Sequence, residues 1–176
     1  MKGIASLAVS LAAALLVLSP AAKSAPPGPT IVDVALAANA EGGPFEGQLD
    51  SLIAAVLAAD PIVLDTLSGN GQFTVFAPTD TAFADIGLEP DDITALGATP
   101  DGQALLTDVL LYHVAHGRRN SSAVLGSQRI RVLKGGFVFQ SGGTLTDNNA
   151  RPVGFVVTDV PAANGIIHVI DTVLSP

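Results

Sequence analysis

Thr74-Val75-Phe76-Ala77-Pro78-Thr79-Asp80-Thr81-Ala82-Phe83 is where the periodicity of this chain changes. Upstream of it, apolar residues recur at helical spacing. From Phe73 to Ala77 they form a short β-type run. A strand that delivers Phe76 inward is stopped by Pro78, which has no N–H for a ladder. Thr79 then stands where an N-cap opens a helical turn that returns Phe83 to the core. The segment reads as a folding corner and contains no catalytic device.

Towards the N-terminus, Thr30 is placed to cap a first helix through Asn39, and Glu41 to Gly47 is a glycine-rich connection. Leu49, Leu52, Ile53, Val56 and Leu57 recur at helical spacing up to Asp60. Pro61 opens a further short helix carrying Leu64 and Leu67, which Ser68-Gly69-Asn70-Gly71 ends. Towards the C-terminus, Asp85 to Thr99 reads as an acidic loop, and Asp101 to Leu111 returns to helical period. Strands are then predicted at Arg129 to Leu133, Phe137 to Gln140, Val153 to Thr158 and Ile166 to Val173. Helices first and strands later define an α+β domain, not a βαβ repeat. Residues 30–176 form one unit, preceded by a Pro-rich lead-in at 25–29. Before the last strand, Pro161 to Gly165 reverses the chain, with Gly165 best able to take a positive φ. His168 shares a face with Ile166 and Ile170, while Ile167 and Val169 line the other. A strand apolar on both faces is central, and its histidine reads as a hydrogen-bonded core residue.

The 176-residue length argues for one compact domain. Sixteen Asp and Glu against eight Lys and Arg give a net charge of -8, which disfavours nucleic acid or an anionic membrane as partner. The absence of cysteine removes disulfides, thiolate metal sites and cysteine nucleophiles together. Mean hydropathy is +0.50, but much of it lies in the opening segment. There Met1-Lys2, the apolar run Ile4 to Leu18, Ser19-Pro20 and small residues follow the plan of a secretory signal peptide. An uncleaved anchor would need roughly 20 apolar residues. Cleavage is expected after Ser24, with Ala22 and Ser24 at the small-residue positions, leaving a soluble, exported chain. Its charge is lopsided: residues 24–117 hold 13 acids and no Lys or Arg, whereas 118–176 hold six basic residues and three acids. The two halves either neutralise each other or mark an interaction surface.

Two blocks carry a family resemblance. Thr74 to Phe83 resembles the first signature of fasciclin (FAS1) domains. Asn164-Gly165-Ile166-Ile167-His168-Val169-Ile170-Asp171, with Val173-Leu174-Ser175-Pro176, resembles the second. Tyr112-His113-Val114 between them matches the family's Tyr-His element. The resemblance implies a curled β-sandwich or wedge with a helical layer, in a secreted or surface-exposed protein. In adhesive members the Tyr-His element and an Asp-Ile pair ahead of the second block are implicated in receptor binding. By position these are Tyr112, His113, Asp159 and Val160, the last departing from the pattern by one methylene. Asp92-Ile93 resembles the pair in letters but stands at the wrong place in the domain. Thr74, Phe76, Pro78, Thr79, Phe83, Gly165 and His168 carry over as structural residues. For Tyr112-His113 a structural reading, fixing the helix-to-strand junction, stands beside the adhesive one.

No metal, cofactor or catalytic group is expected. His113 and His116 would point to opposite faces of an extended segment, the acidic run Asp85, Glu89, Asp91, Asp92 lacks the order of a calcium loop, and no nucleophile elbow or phosphate loop occurs. Arg118, Arg119, Arg129, Arg131 and Lys134 follow directly on Tyr112-His113 and form a candidate basic stripe. Its partner would be anionic polysaccharide or the acidic face of another copy. The expected function is a secreted, non-enzymatic module for cell adhesion or protein and matrix interaction. The alternative is a protein that binds a small lipid or carbohydrate in a cleft between helices and sheet.

Overall fold

The computed structural model describes residues 27–141 and 144–175. The leader expected at residues 1–24 lies outside them, as do Ala25, Pro26 and Pro176. Helix α1 (Ile31–Asn39) opens on a reciprocal capping box. The Thr30 hydroxyl accepts from the Asp33 N–H at 3.3 Å, and the Asp33 carboxylate accepts from the Thr30 N–H at 2.8 Å. Helix α2 (Asp50–Ala58) follows, then α3 (Pro61–Ser68), which has proline at its first position and Asp60 accepting from the Ile62 N–H. Strand β1 (Phe73–Pro78) ends at its proline as expected, and α4 (Asp80–Ala84) returns a buried Phe83 to the core. Thr79 occupies the N-cap position of α4, but its hydroxyl makes no capping bond. The capping done at this corner is long-range: the Asp80 carboxylate accepts from the N–H groups of Asp50 (3.2 Å) and Ser51 (2.7 Å), at the start of α2.

The segment read as an acidic loop contains a helix, α5 (Pro90–Gly97). Its signals are local. Pro90 is at the first position, and Glu89 and Asp92 cap each other reciprocally, so the carboxylates sit where the helix dipole favours them. Its one buried residue, Ile93, anchors it. Helix α5 packs closely on α2: a Cβ at Gly97 would lie 2.4 Å from that of Ala58. Of the expected apolar face of α2, Leu49 and Leu52 are buried and Ile53 and Val56 pack against the core, whereas Leu57 is 70% exposed. Helix α6 (Pro100–Tyr112) then leads into β2 (Val114–His116), and a short helix, α7 (Ser121–Leu125), precedes the strands. These are β3 (Arg129–Arg131), β4 (Phe137–Ser141), β5 (Thr144–Thr146), β6 (Pro152–Val153), β7 (Phe155–Ala162) and β8 (Gly165–Ile170). Strands β2 and β5 and helix α7 have no counterpart among the expected elements, and the strand expected at Val153 to Thr158 divides between β6 and β7.

Two four-stranded sheets result, ordered β2-β1-β8-β7 and β3-β4-β5-β6, and an isolated bridge from Ala115 to Val132 links them. All pairings are antiparallel except β1 with β8, which run parallel. The first sheet is covered on both faces. Val75, Ala77, Ile167 and Val169 belong to a core shared with the helices, whereas Phe76 and Ile170 pack with Ile130, Val138, Leu145 and Val153 of the second sheet. Each of these Val, Leu, Ile and Phe side chains, fully withdrawn from water, contributes about 1.5–3 kcal/mol. His168 is fully buried in the central strand β8 and opposite Phe76, as the alternation required.

Asn164 joins the layers. Its side-chain oxygen accepts from the Ile31 N–H at 2.8 Å, its amide donates to the carbonyls of Leu67 (2.6 Å) and Gly69 (2.9 Å), and its own carbonyl accepts from the Phe73 N–H. The start of α1, the end of α3 and the start of β1 thus meet on one buried amide. Gly165, expected to supply a positive φ, does not take one. It is required instead by close approach, since a Cβ would lie 2.3 Å from the Phe73 carbonyl oxygen and 2.7 Å from Ile31 Cδ1. Asn164→Ala leaves two carbonyls and one N–H unpaired in the interior, and is expected to cost about 3 kcal/mol or more in urea unfolding. Gly165→Ala is expected to destabilise comparably.

Candidate functional site

The Tyr-His element is interior. Tyr112 is fully buried at the end of α6 and His113 is 2% exposed. His113 Nδ1 lies 2.8 Å from the Val109 carbonyl and Nε2 accepts from the Leu174 N–H at 2.9 Å, so the proton sits on Nδ1. Burial pushes its pKa down to about 4. His168 is held similarly: Nδ1 accepts from the Asp159 N–H at 3.2 Å and Nε2 donates to the Arg119 carbonyl at 2.9 Å, and burial lowers its pKa. Both imidazoles are spent on backbone groups. Ser121 donates its hydroxyl to the Asp159 carboxylate, and no imidazole is bonded to that hydroxyl among the described residues. A nucleophile, base and orienting acid are therefore not assembled here. No group of His, Asp and Glu suited to a metal ion occurs among the described residues.

Asp159 is exposed on the edge strand β7, in a left-handed conformation (φ 63°) within the register shift between Val157 and Val160. Hydrogen bonds from the Ser121 hydroxyl and N–H hold its carboxyl below the usual carboxylate range and tie β7 to α7. Val160 beside it is half-buried. The Ile93 of the discounted Asp92-Ile93 pair is fully buried.

The basic stripe divides. Lys134 pairs with Asp108 of α6, and Arg118 donates to the Ala162 carbonyl at 3.0 Å. Arg119 serves through its backbone, its N–H donating to the Thr74 hydroxyl and its carbonyl accepting from His168. Arg129 and Arg131 alone share a strand face, as predicted, with Ile130 buried between them. The pairing of β3 with β4 places Arg129 opposite Phe139 and Arg131 opposite Phe137, while Val138 points inward. The Arg129 guanidinium carbon lies 4.8 Å from the Phe137 ring centroid, and the rings of Phe137 and Phe139 are 6.4 Å apart. The result is an outward face of two arginines and two phenylalanines, with Phe139 41% exposed. No sequence motif announced it, because only the strand register brings these residues together.

This face connects directly to the buried element. The Tyr112 hydroxyl donates to the Phe137 carbonyl at 2.7 Å, and Gly136 (φ 138°) lies so near the Tyr112 ring that a Cβ would stand 3.3 Å from it. Tyr112 thus supports β4 from beneath at the residue whose side chain carries Arg129. Burial raises the Tyr112 pKa, keeping the hydroxyl a donor. A second buried polar knot closes the same sheet: Asp147 accepts from Arg151 Nε at 2.9 Å and from the N–H groups of Asn149 and Ser175, and Arg151 donates to the Val173 carbonyl.

The Fasciclin domain family model matches residues 47–176, and the chain belongs to this family. A Synechocystis protein, sll1483, is 36% identical over 127 residues, covering 72% of this chain and 66% of that protein. A second Synechocystis protein, sll1735, is 33% identical over 147 residues, 83% of this chain and 97% of that protein. The cell surface glycolipoprotein MPB83 of Mycobacterium bovis is 34% identical over 143 residues, 80% of this chain and 60% of that protein. The chain thus spans about two thirds or less of the length of the first and third of these relatives. Among solved structures, the FAS1 domain pair of the insect cell adhesion molecule fasciclin I shares the fold, with a TM-score of 0.58 at 18% identity. The match covers 73% of this chain and 47% of that one. The expected α+β fold of the fasciclin type is therefore correct.

The buried histidines set a pH dependence. In the unfolded chain His113 takes up a proton near pH 6.5, in the folded protein only near pH 4. Stability is therefore complete above pH 6.5 and falls as pH drops towards 4, at up to ~1.4 kcal/mol per pH unit for one histidine. His168 adds to the same trend. Urea midpoints are expected to fall between pH 7 and pH 4.5; a midpoint constant over that interval would contradict neutral burial.

Proposed function

We propose that the protein is an exported, non-enzymatic interaction module that acts in adhesion, and that its contact surface is the outward face of β3 and β4. The observation that carries this reading is the Tyr112 hydroxyl bonded to the Phe137 carbonyl beneath the Arg129, Arg131, Phe137, Phe139 face. It gives the family's Tyr-His element a route to binding although its own atoms are buried. His113 belongs to the same junction, its carbonyl accepting from the Phe76 N–H at 2.9 Å. Asp159 and Val160 shape a separate edge through Ser121.

The chemistry of the face selects its partner. Guanidinium groups bind carboxylate and sulfate by paired hydrogen bonds, and a guanidinium already seated on a phenyl ring loses less freedom on binding. An acidic partner is therefore favoured, either an anionic polysaccharide or the acid-rich half of another copy. Two ion pairs occur among the described residues, Lys134 with Asp108 and Arg151 with Asp147. Arg129 and Arg131 take part in neither, which supports an outward role over internal neutralisation. Export is supported by the leader-like opening of the sequence and by the cell surface glycolipoprotein among the relatives. No single helix among the described residues is long and apolar enough to cross a membrane.

Arg129→Gln with Arg131→Gln is expected to abolish salt-sensitive binding to a sulfated or uronic polysaccharide while leaving the unfolding midpoint within about 0.5 kcal/mol of wild type. Sedimentation of the same pair of proteins separates self-association from polysaccharide binding. Retention of both activities in the double variant would overturn the assignment of this face.

A further inference from the structure

An apolar cavity of about 70 Å³ lies between α1, α2 and α3 on one side and β1 and β8 on the other. Its walls include Ala35, Leu52, Val56, Leu67, Val75 and Ile167. The polar side chain at its inner end, His113, has both ring nitrogens committed to Val109 and Leu174, so it offers no polar atom to the space. Leu36 of α1 and Leu57 of α2 line the cavity yet are 47% and 70% exposed, so the apolar lining continues to the surface between these two helices. An apolar space open to water through exposed leucines is a receptive one, since each methylene transferred into it gains about 0.8 kcal/mol.

The wall formed by α1 is suited to admit a guest. The helix is held at its ends. At the first turn, the Ile31 N–H donates to Asn164. At the last turn, Asn39 donates to the Asp50 carboxylate at 2.7 Å and accepts from the Leu49 N–H at 2.8 Å. Between the ends it is nearly all apolar, but Ile31 alone is fully buried. Val32, Val34 and Ala38 are partly buried and pack against the core, so the wall is loosest at Leu36, which is exposed beside the opening.

We propose that this cavity, with room for only a few carbons, takes the end of an uncharged alkyl chain that enters between Leu36 and Leu57 towards the helix-facing side of β1 and β8. The charge of the ligand follows from the frame. Helices α1, α2 and α3 carry Asp33, Asp50 and Asp65 and no basic residue. A fatty acid carboxylate at the opening therefore finds no counter-ion on these helices, a lack that costs an alcohol or a neutral lipid tail nothing. The site is separate from the β3 and β4 face and stands or falls without it.

The probes are 1-decanol and decanoate, titrated into the full domain while methyl proton-carbon spectra are recorded. Saturable shifts are expected at Leu36, Val56, Leu57 and Val75 with decanol, and binding at least tenfold weaker with decanoate. Ala35→Phe overfills the space, so it lowers the unfolding midpoint, and it is expected to remove the shifts in the protein that remains folded. Leu57→Lys, at an exposed position where folding is not at stake, is expected to weaken decanol and strengthen decanoate, narrowing the gap between them. The proposal is overturned by any of four results. These are no shifts up to the solubility of decanol, equal binding of decanoate, undiminished binding in folded Ala35→Phe with unchanged selectivity in Leu57→Lys, or shifts centred elsewhere. The last would include the second apolar cavity, of about 130 Å³, bordered by Ile86, Leu105 and Val173.

Discussion

Strand β8 has helices against one face and the second sheet against the other, so every polar group it carries must find its hydrogen bonds inside the protein. That constraint explains the three polar residues gathered around it. His168 is neutral and bonded at both nitrogens. Asn164, at the turn into the strand, is saturated by three other segments. His113 receives Leu174 just beyond the strand's end. Each replaces water with a backbone group from a distant part of the chain, and so each fixes the position of one layer against another. The apolar cores supply most of the free energy, but they are tolerant of sliding. The buried polar bonds define one register.

The same logic carries the Tyr-His element from the interior to the surface. Tyr112 leaves α6 pointing into the space between the sheets, where its hydroxyl must be bonded, and the Phe137 carbonyl is the group it meets. The position of β4 is thereby tied to the end of α6. Because Phe137 and Phe139 alternate outward from that same strand, and β3 pairs with it, the arrangement of Arg129 and Arg131 depends on a residue that never touches water. The acidic N-terminal half lies mostly on the helices, and the basic face lies on the second sheet.

Local chemistry was legible in the sequence, and long-range chemistry was not. Thr30, Pro61 and Pro78 act within their own turns and were read correctly, as was the alternation that buries His168. Asp80 looked like the first residue of its own helix, but it caps one that begins thirty residues earlier, and nothing near it announces that. Gly165 was assigned its conformational freedom, the usual reason for a glycine at a turn. Its actual reason, the nearness of Phe73 and Ile31, appears only when three segments are assembled. The acidic stretch before α6 reads as a loop by its charge, although Pro90 and the Glu89, Asp92 pair mark a helix start. The Arg and Phe face was half visible, in the spacing of Arg129 and Arg131. Its aromatic half required the register of β3 against β4.

The most direct test of the account is to map, residue by residue through amide hydrogen exchange, where an anionic polysaccharide protects the folded domain, in wild type and in Tyr112→Phe. Protection is expected at Arg129–Arg131 and Phe137–Phe139 in wild type, with slow exchange at Tyr112 and His113 whether or not ligand is present, and with a weakened β3 and β4 footprint in Tyr112→Phe. Protection centred on Tyr112 and His113, or an unchanged β3 and β4 footprint in the variant, would contradict it.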